Sequence, residues 1–187
     1  MYRYAVIGAG RQGTAAAYDV AKWGDADRII LADADYPTAQ AAADRINAGS
    51  GKPSVEPAQL DIADRDAAIK VLSGTDVILS AVPYYYNLEL TDIAIELGAH
   101  MCDLGGHTGI ARQQHEKSTA AIAAGISIVP NCGQVPGMGT SMVVYTMGLL
   151  DRAVDVYMWD GGIPQRPLAP FDYLLTFHVA GLTNEYA

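Results

Sequence analysis

Short apolar runs alternate with longer helix-forming runs along most of this chain. Runs of strand character lie at residues 5–7, 29–32, 76–82, 100–103 and 126–129, with a short further strand beginning at Val55. Helix-forming runs lie at residues 14–23, 37–48, from 63 onward, 88–97 and 111–124. A continuous apolar run such as DVILSAV (residues 76–82) is typical of a parallel strand covered on both faces. The alternation predicts an α/β fold with a doubly wound parallel sheet.

The pattern changes after residue 136. Residues 139–150 read as a helix, residues 154–159 as an alternating strand, and residues 171–179 as an apolar and aromatic stretch. A glycine- and proline-containing segment at residues 47–53 reads as a loop. We therefore predict one domain over residues 1–136, followed over residues 137–187 by the beginning of a second, incomplete α+β domain.

The first strand runs into glycines in G-x-G-x-x-G spacing. Gly8 permits a tight turn, Gly10 leaves room for a pyrophosphate, and Gly13 lets the following helix pack closely on the strand. The start of that helix presents free N–H groups and the positive end of its dipole. Asp33 follows at the carboxyl end of the second strand, where a carboxylate can accept both ribose hydroxyls of an adenosine. Together these features predict a Rossmann-type dinucleotide-binding domain.

The predicted cofactor is NAD rather than NADP. A 2′-phosphate beside Asp33 would meet a carboxylate, and the next residues, Ala34 to Tyr36, include no arginine or lysine. Asp61 is a further candidate, since it either contacts the adenine or caps the helix beginning near residue 63, and we favour the cap. The remaining cofactor candidates lie in the glycine turn and after the fourth strand: Arg11, Gln12, Ala81, Val82 and Pro83.

Composition narrows the class of protein. Half of the 187 residues are hydrophobic and 18% are charged, which suits a folded domain with a sizeable core. The net charge of −9 argues against nucleic acid or an anionic membrane as a partner. No signal peptide and no membrane-spanning run is visible. The two cysteines, Cys102 and Cys132, are too few for a disulfide framework and favour a reducing, cytoplasmic location.

Five segments occur in an order that resembles one enzyme family. They are GAGRQG, AVPYYYN, DLGGHTG, AGISIVPNCGQVPG and GGIPQRPLAPFDY. The chain is similar in these segments to the saccharopine dehydrogenase–like family. Two of the segments most resemble the lysine 6-dehydrogenase branch of that family. They are DLGGH (residues 103–107) and GGIP (residues 161–164), the latter followed by Arg166 and Tyr173.

The resemblance implies a function and an assembly. Members of the branch oxidatively deaminate the primary amine at the end of an amino-acid side chain, with NAD accepting the hydride, and the product is a semialdehyde. The resemblance also implies a homodimer. Family members are longer than this chain, so we expect a truncated form or one completed by a missing C-terminal part. Two alternatives stay open: an imine reductase of the saccharopine or carboxynorspermidine type, and a non-catalytic dinucleotide-binding module.

Amine oxidation needs a group that takes a proton from the substrate amine. His107 is the candidate base, because it lies in a glycine-flanked loop after a strand and histidine exchanges protons near neutral pH. The alternative is that His107 orders its loop. Tyr84, in the loop after the fourth strand, is a candidate to orient the amine or assist the proton transfer, and the alternative is packing at the domain boundary.

Two residues are candidates to bind the substrate. The planar guanidinium of Arg166 suits a carboxylate, although a solvated arginine fits equally well. Asp103 ends the fifth strand and either contacts the substrate or holds the DLGG turn or His107. The other histidines are not clustered with cysteines or acids at ligand spacing, so we predict no metal. Cys102 and Cys132 read as buried structural thiols, although Cys132 could also contact the cofactor.

Overall fold

The computed structural model describes residues 1–50, 55–161, 164–170, 172, 179 and 183. Six strands form one sheet in the order β3-β2-β1-β4-β5-β6, and every neighbouring pair is parallel. Their bounds are β1 Tyr2–Ile7, β2 Ala26–Asp33, β3 Val55–Gln59, β4 Val77–Ser80, β5 His100–Asp103 and β6 Ile128–Val129. The predicted doubly wound parallel sheet is confirmed.

Helices connect the strands as the alternating pattern predicts. Their bounds are α1 Arg11–Trp23, α2 Tyr36–Ser50, α3 Arg65–Leu72, α4 Asn87–Leu97, α5 Thr108–Glu116, α6 Ser118–Ala124 and α7 Met138–Met147. A single 3₁₀ turn, Tyr84–Tyr86, precedes α4. Gly98 and Gly125 end α4 and α6 in the left-handed conformation, which a residue without a Cβ adopts readily.

Each face of the sheet carries its own hydrophobic core. On one face the alanine-rich helices α1 and α2 pack closely on alternate strand residues, among them Val6, Ile29 and Leu31. On the other face Ile7, Ile78 and Met101 belong to a core completed by residues of α3 and α4. Because both faces are covered, the strands are apolar at consecutive positions, which is why they read as continuous runs.

Helix α2 continues beyond its predicted end, through part of the predicted loop at residues 47–53. The side chain of Asn47 pairs with the backbone of Val55 as a neighbouring strand would: its Oδ1 accepts from the Val55 N–H at 2.7 Å, and its Nδ2 donates to the Val55 carbonyl at 3.0 Å. This pairing ties the end of α2 to the start of β3. The rest of the predicted loop, residues 51–53, lies outside the described residues.

The run at 111–124 forms two helices rather than one. They meet at Lys117, whose ammonium pairs with Asp92 of α4 at 2.6 Å. The hydroxyl of Ser118 donates to the carbonyl of His115 at 2.5 Å, which satisfies a backbone acceptor at the end of α5. The run is therefore divided at Lys117, the residue that also contacts α4.

The chain after β6 departs most from prediction. The helix expected at 139–150 is present as α7, but the strand expected at 154–159 is absent: residues 152–161 form neither helix nor strand. Tyr157 and Trp159 are 80% and 90% exposed, so this stretch has no covered sheet face on which to lie. The stretch 171–179 lies, apart from Asp172 and Val179, outside the described residues. The domain division at residues 136 and 137 stays a prediction.

Among the helices of the described residues, none is long and apolar enough to cross a membrane.

Candidate functional site

The candidate site lies at the carboxyl ends of β1 and β4. These strands are neighbours, yet the chain leaves β1 toward β2 on one side and returns through β4 toward β5 on the other. The connections on the two sides diverge above this pair of strands and leave a crevice, which is where open α/β sheets bind their ligands. The segments that border the crevice are the glycine turn after β1 and the segment 81–84 after β4.

The three glycines of the turn have different surroundings. Gly8 has φ +98°, and a Cβ on it would lie 2.7 Å from the carbonyl oxygen of Ala81. A Cβ on Gly13 would overlap the carbonyl oxygen of Gly8, so α1 packs directly on the turn. A Cβ on Gly10 would meet nothing within 4 Å. Gly8 and Gly13 are therefore required by the fold, whereas Gly10 borders open space, as a pyrophosphate-binding turn needs.

Helix α1 begins at this open space. Gly10 is its N-cap residue and supplies no side-chain cap, so the first-turn N–H groups of Arg11, Gln12 and Gly13 have no partner from the cap. These N–H groups, together with the positive end of the helix dipole, suit an anionic group. The residues of this turn therefore fit the pyrophosphate of a dinucleotide.

Asp33 lies at the end of β2 and is half-buried. Its Oδ2 accepts from the N–H of Ala9 at 2.7 Å, and its Oδ1 accepts from the N–H of Asp35 at 3.0 Å. The side chain is thus held against the glycine turn. Each carboxylate oxygen accepts more than one hydrogen bond, so acceptor capacity is left for ribose hydroxyls.

A groove of about 620 Å³ adjoins the turn on the side of α1 and α2. It begins at Gly10 and Arg11 and continues along α1 to Tyr18, with Arg45 of α2 opposite. Two arginines therefore border the outer side of the turn, which the sequence pattern alone did not indicate, because Arg45 lies 34 residues after Arg11.

The predicted capping role of Asp61 is wrong. Helix α3 begins at Arg65, and its cap is Asp64, whose carboxylate accepts from the N–H of Ala67 at 3.0 Å. Asp61 is exposed and instead accepts from the N–H of Ala63 at 3.0 Å, which closes a short turn before the cap. The helix starts two residues later than predicted because that turn comes first. A contact between Asp61 and adenine stays a prediction.

Close contacts continue from the glycine turn across the crevice. Ala81 donates its N–H to the Ile7 carbonyl at 2.8 Å, and Val82 lies against Gly8. After Pro83, Tyr84 stacks on the ring of His107, with centroids 5.1 Å apart and planes inclined by 21°. The structure therefore brings the predicted residues after β4 beside both the glycine turn and His107.

His107 is exposed and is the N-cap residue of α5. Its Nδ1 accepts from the N–H of Ile110 at 3.3 Å. A ring nitrogen that accepts a hydrogen bond carries no proton, so the neutral ring in this arrangement carries its proton on Nε2. His107 thus orders its own loop, which is the alternative to a catalytic role, and presents an N–H donor from its other nitrogen.

Asp103 is 1% exposed, and its carboxylate is occupied by protein donors. Oδ1 accepts from the N–H groups of Gly105 at 2.7 Å and Asn131 at 3.1 Å, and Oδ2 accepts from the amide of Gln114 at 2.8 Å. The expected contact between Asp103 and substrate is therefore not supported, because burial and these bonds leave a substrate no access. The geometry agrees instead with the alternative, in which Asp103 holds the DLGG turn.

Asn131 and Gln114 are structural residues of the site that the sequence reasoning missed. Asn131 has φ +60°, an uncommon conformation for a residue other than glycine. The sequence feature that could have indicated this turn is the position of Asn131 between Pro130 and a Cys-Gly pair. Gln114 occupies a helix that reads as polar, so nothing marked it as buried.

No contact between Arg166 and the crevice residues is seen within the described part of the chain. Arg166 is exposed, and it makes no ion pair with a described residue. Tyr173, as well as Gly162 and Ile163 of the GGIP segment, lie outside the described residues.

The two thiols lie near Asp103. Burial raises the pKa of Cys102 to about 11, and Cys132 and Asp103 nearby add to the shift. Burial also raises the pKa of Cys132, again with a contribution from Asp103. Both thiols are therefore protonated at neutral pH, as structural thiols are. Within the described ranges, no group of three or more His, Cys, Asp or Glu side chains is placed to hold a metal ion.

Comparison with known sequences decides the family. Residues 4–129 match the profile of the saccharopine dehydrogenase NADP-binding domain. The matched stretch runs from β1 to the end of β6, and so covers the whole sheet and the turns described above. The chain belongs to this family.

One curated relative of this family member is the alpha-aminoadipic semialdehyde synthase of Arabidopsis thaliana. The two are 27% identical over 137 residues, which is 70% of this chain and 13% of the relative. The chain therefore spans a small part of that protein.

Solved structures show the same fold. Apo saccharopine dehydrogenase (L-Glu forming) from Saccharomyces cerevisiae matches with a TM-score of 0.64 and 23% identity over 80% of this chain and 31% of the yeast protein. Quinate dehydrogenase from Corynebacterium glutamicum, in complex with NAD, matches with a TM-score of 0.50 and 22% identity over 70% of this chain and 45% of that one. These matches show the fold, and the family profile identifies the chain as a saccharopine dehydrogenase-like domain of the nicotinamide dinucleotide-binding type.

The different surroundings of Gly13 and Gly10 give a matched pair of variants. Gly13→Ala places a methyl group on backbone atoms, so we expect a loss of unfolding free energy of about 3 kcal/mol or more. Gly10→Ala places one in open space, so we expect a loss below about 1 kcal/mol together with weaker dinucleotide binding. Urea denaturation and calorimetry measure the two effects. Equal stability of the two variants would contradict the packing described here.

Proposed function

We propose that this family member is an NAD-dependent oxidoreductase that oxidatively deaminates the primary amine of a lysine-like amino acid to a semialdehyde. In this reaction R–CH₂–NH₃⁺, NAD⁺ and water give R–CHO, NADH, NH₄⁺ and H⁺. The observation that carries the proposal is the adjacency of two features: a glycine turn that fits a pyrophosphate, and the Tyr84–His107 ring pair on the other side of segment 81–83.

Asp33 supports NAD over NADP. Its carboxylate is fixed by the Ala9 N–H at the end of β2, so it cannot turn aside easily for a second negative charge. Two observations favour NADP instead: the family profile is described as an NADP-binding domain, and Arg11 and Arg45 border the groove beside the turn. We favour NAD because the carboxylate is tied to the turn itself, whereas both arginines are exposed.

His107 and Tyr84 are the residues we propose for proton transfer to and from the substrate. NAD, when bound, supplies the hydride acceptor. A substrate ammonium must first lose a proton, and the observed ring of His107 accepts a proton only if Nδ1 leaves the Ile110 N–H. That hydrogen bond is long and exposed, and breaking it costs about 1 kcal/mol, the usual contribution of an N-cap. The Tyr84 ring stacks on His107 from the neighbouring loop, and its hydroxyl is the second candidate for this proton transfer.

Arg166 stays a proposal as the partner of the substrate carboxylate. Its support is chemical, since a guanidinium pairs with a carboxylate through two parallel hydrogen bonds.

A second candidate function is the reductive joining of an amino acid and an aldehyde. It is supported by the saccharopine dehydrogenase from yeast, whose fold this chain shares. A third is binding of a dinucleotide without turnover, which needs only the glycine turn and Asp33. The intact glycine turn and Asp33 fit all three functions, so substrate-dependent assays must separate them.

The predicted homodimer, or completion by a C-terminal part, is supported by the apolar surface of α7 and the segment after it. Met142, Tyr145 and Leu149 are 60%, 72% and 69% exposed, and Trp159 is 90% exposed. Side chains of this kind gain stability when another protein surface covers them. A cytoplasmic location stays a prediction from cysteine usage alone.

Cofactor preference is testable with Asp33→Asn. The asparagine keeps a carbonyl oxygen for the Ala9 N–H, so the link to the glycine turn is kept, whereas the charge and the acceptor for the Asp35 N–H are removed. We expect the unmodified chain to bind NAD at least about 10-fold more tightly than NADP, because like charges repel. Asp33→Asn is expected to weaken NAD about 10-fold and to reduce the preference. Isothermal titration calorimetry measures all four affinities.

Asp27→Asn is the matched control, since it removes one exposed carboxylate from the opposite end of the same strand, β2. An unchanged NAD affinity in this variant, with a loss in Asp33→Asn, assigns the effect to Asp33. Tighter binding of NADP than NAD by the unmodified chain would instead favour Arg11 and Arg45 as phosphate ligands and overturn the NAD proposal.

The proton-transfer roles are testable with His107→Asn and Tyr84→Phe. Asparagine is a good N-cap, so it preserves the start of α5 while removing the imidazole. Phenylalanine preserves the ring stack while removing the hydroxyl. We expect each variant to lower lysine-dependent NADH formation by about 100-fold or more with little change in NAD affinity. The assay follows NADH absorbance with lysine and NAD.

The reverse assay uses NADH with an aldehyde and glutamate. Turnover only in this direction would favour the reductive function. Binding of NAD with no turnover in either assay would favour the non-catalytic module.

A further inference from the structure

We propose that Asp103 is a positioning residue that holds the Tyr84–His107 pair in place through a buried chain of hydrogen bonds. The inference rests on the proposed function, which assigns proton transfer to Tyr84 and His107. Asp103 itself contacts no substrate. It acts through the loops that follow β4, β5 and β6.

Asp103 joins the ends of β5 and β6. Through Oδ1 it binds the N–H groups of Gly105 and Asn131, and through its own carbonyl it binds the N–H of Cys132 at 2.7 Å. Gly105 belongs to the turn that leads to His107, and the other two residues begin the loop after β6. One residue therefore fixes two neighbouring loops relative to each other.

The carboxylate is satisfied entirely by N–H donors. Asp103 is buried, and within the described residues it has no ion pair. A buried carboxylate without a cation is tolerated only when its lone pairs are used by well-placed donors. Loss of any one donor is therefore costly, which keeps the whole arrangement in one geometry.

The chain of hydrogen bonds continues from Asp103 to the tyrosine turn. The amide of Gln114 donates to Asp103 and also to the hydroxyl of Thr91, at 3.0 Å. Thr91 donates to the carbonyl of Asn87 at 2.8 Å. The Asn87 side chain accepts from the hydroxyl of Ser80, the last residue of β4, at 2.7 Å. All five side chains, those of Ser80, Asn87, Thr91, Asp103 and Gln114, are buried.

This chain reaches both sides of the ring pair. Asn87 begins α4 directly after the Tyr84–Tyr86 turn, so Ser80 and Thr91, by holding Asn87, fix the end of that turn. Asp103 holds the turn that carries His107. The stacking distance between the two rings is thus set by a buried structure beneath them rather than by the rings alone.

The turn above Asp103 has little room to adjust. A Cβ on Gly105, which has φ +78°, would lie 2.5 Å from the side-chain oxygen of Asn131, and a Cβ on Gly106 would lie 3.2 Å from the Tyr84 ring. Because the backbone packs this closely on both neighbours, a shift of Asp103 is passed to Tyr84 and His107.

Nuclear magnetic resonance tests the proposal through two signals. In the unmodified protein the Gly105 and Asn131 amides, although they lie in loops, are expected to exchange with solvent about 100-fold more slowly than unstructured amides. Asp103→Ala is expected to lose the nuclear Overhauser contact between the Tyr84 and His107 rings while keeping its NAD affinity within about threefold. A general loss of structure would instead remove the ring contact and weaken NAD binding together.

Two variants serve as comparisons. Asp103→Asn keeps Oδ1 for the N–H groups of Gly105 and Asn131 but loses the acceptor for Gln114. The ring contact is therefore expected to be weaker than in the unmodified protein and stronger than in Asp103→Ala. Asp92→Ala removes a partly exposed carboxylate that pairs with Lys117 and leaves the loops untouched. It is expected to keep the ring contact.

Fast exchange of the Gly105 and Asn131 amides in the unmodified protein would overturn the proposal, as would a folded Asp103→Ala variant that keeps the ring contact. If Asp103→Ala does not fold, the amide exchange of the unmodified protein decides the question. Failure of the proposed function is seen separately, as an absence of NAD binding or of turnover in the unmodified protein.

Discussion

The close packing of the glycine turn between β1, α1 and β4 is the constraint on which the candidate site depends. Gly13 lets α1 lie directly on the backbone of Gly8, and Gly8 in turn lies against the carbonyl of Ala81. This packing fixes the start of α1 over the ends of two central strands. It directs the first-turn N–H groups into the crevice, and it leaves Gly10 facing open space. The hydrogen bond from Ala9 to Asp33 then joins the end of β2 to the same turn.

The other half of the crevice is held by polar rather than by apolar contacts. The ends of β4, β5 and β6 are joined by buried side chains that run from Ser80 to Asp103. Apolar packing would tolerate small shifts of these loops, whereas a buried carboxylate with its donors does not. The crevice thus combines a backbone-lined half that suits a pyrophosphate with a half whose rings, the half-buried Tyr84 and the exposed His107, are positioned by buried polar side chains.

The sheet and the cofactor half were predictable from sequence because local rules govern them. Apolar runs, helix-forming runs, the glycine spacing and Asp33 all act through near neighbours in the chain. The end of α2 and the break at Lys117 were not predicted, since helix propensity does not mark the contacts that Asn47 makes with Val55 and Lys117 makes with Asp92. The strand expected at 154–159 failed because alternation specifies a strand only where a sheet is present to receive it. Asp103 was identified, but its role required knowing that Gln114 and Asn131 meet it.

The most direct test of the central claim, that the dinucleotide binds along the glycine turn and the end of β4, is a titration of the isotope-labelled protein with NAD followed by amide chemical shifts. The account predicts that the largest changes fall on Ala9 to Gly13, on Asp33 and on Ala81 to Tyr84, and that α7 is unaffected. Saturable changes confined to α7 and the segment after it, with the glycine turn unmoved, would contradict the account.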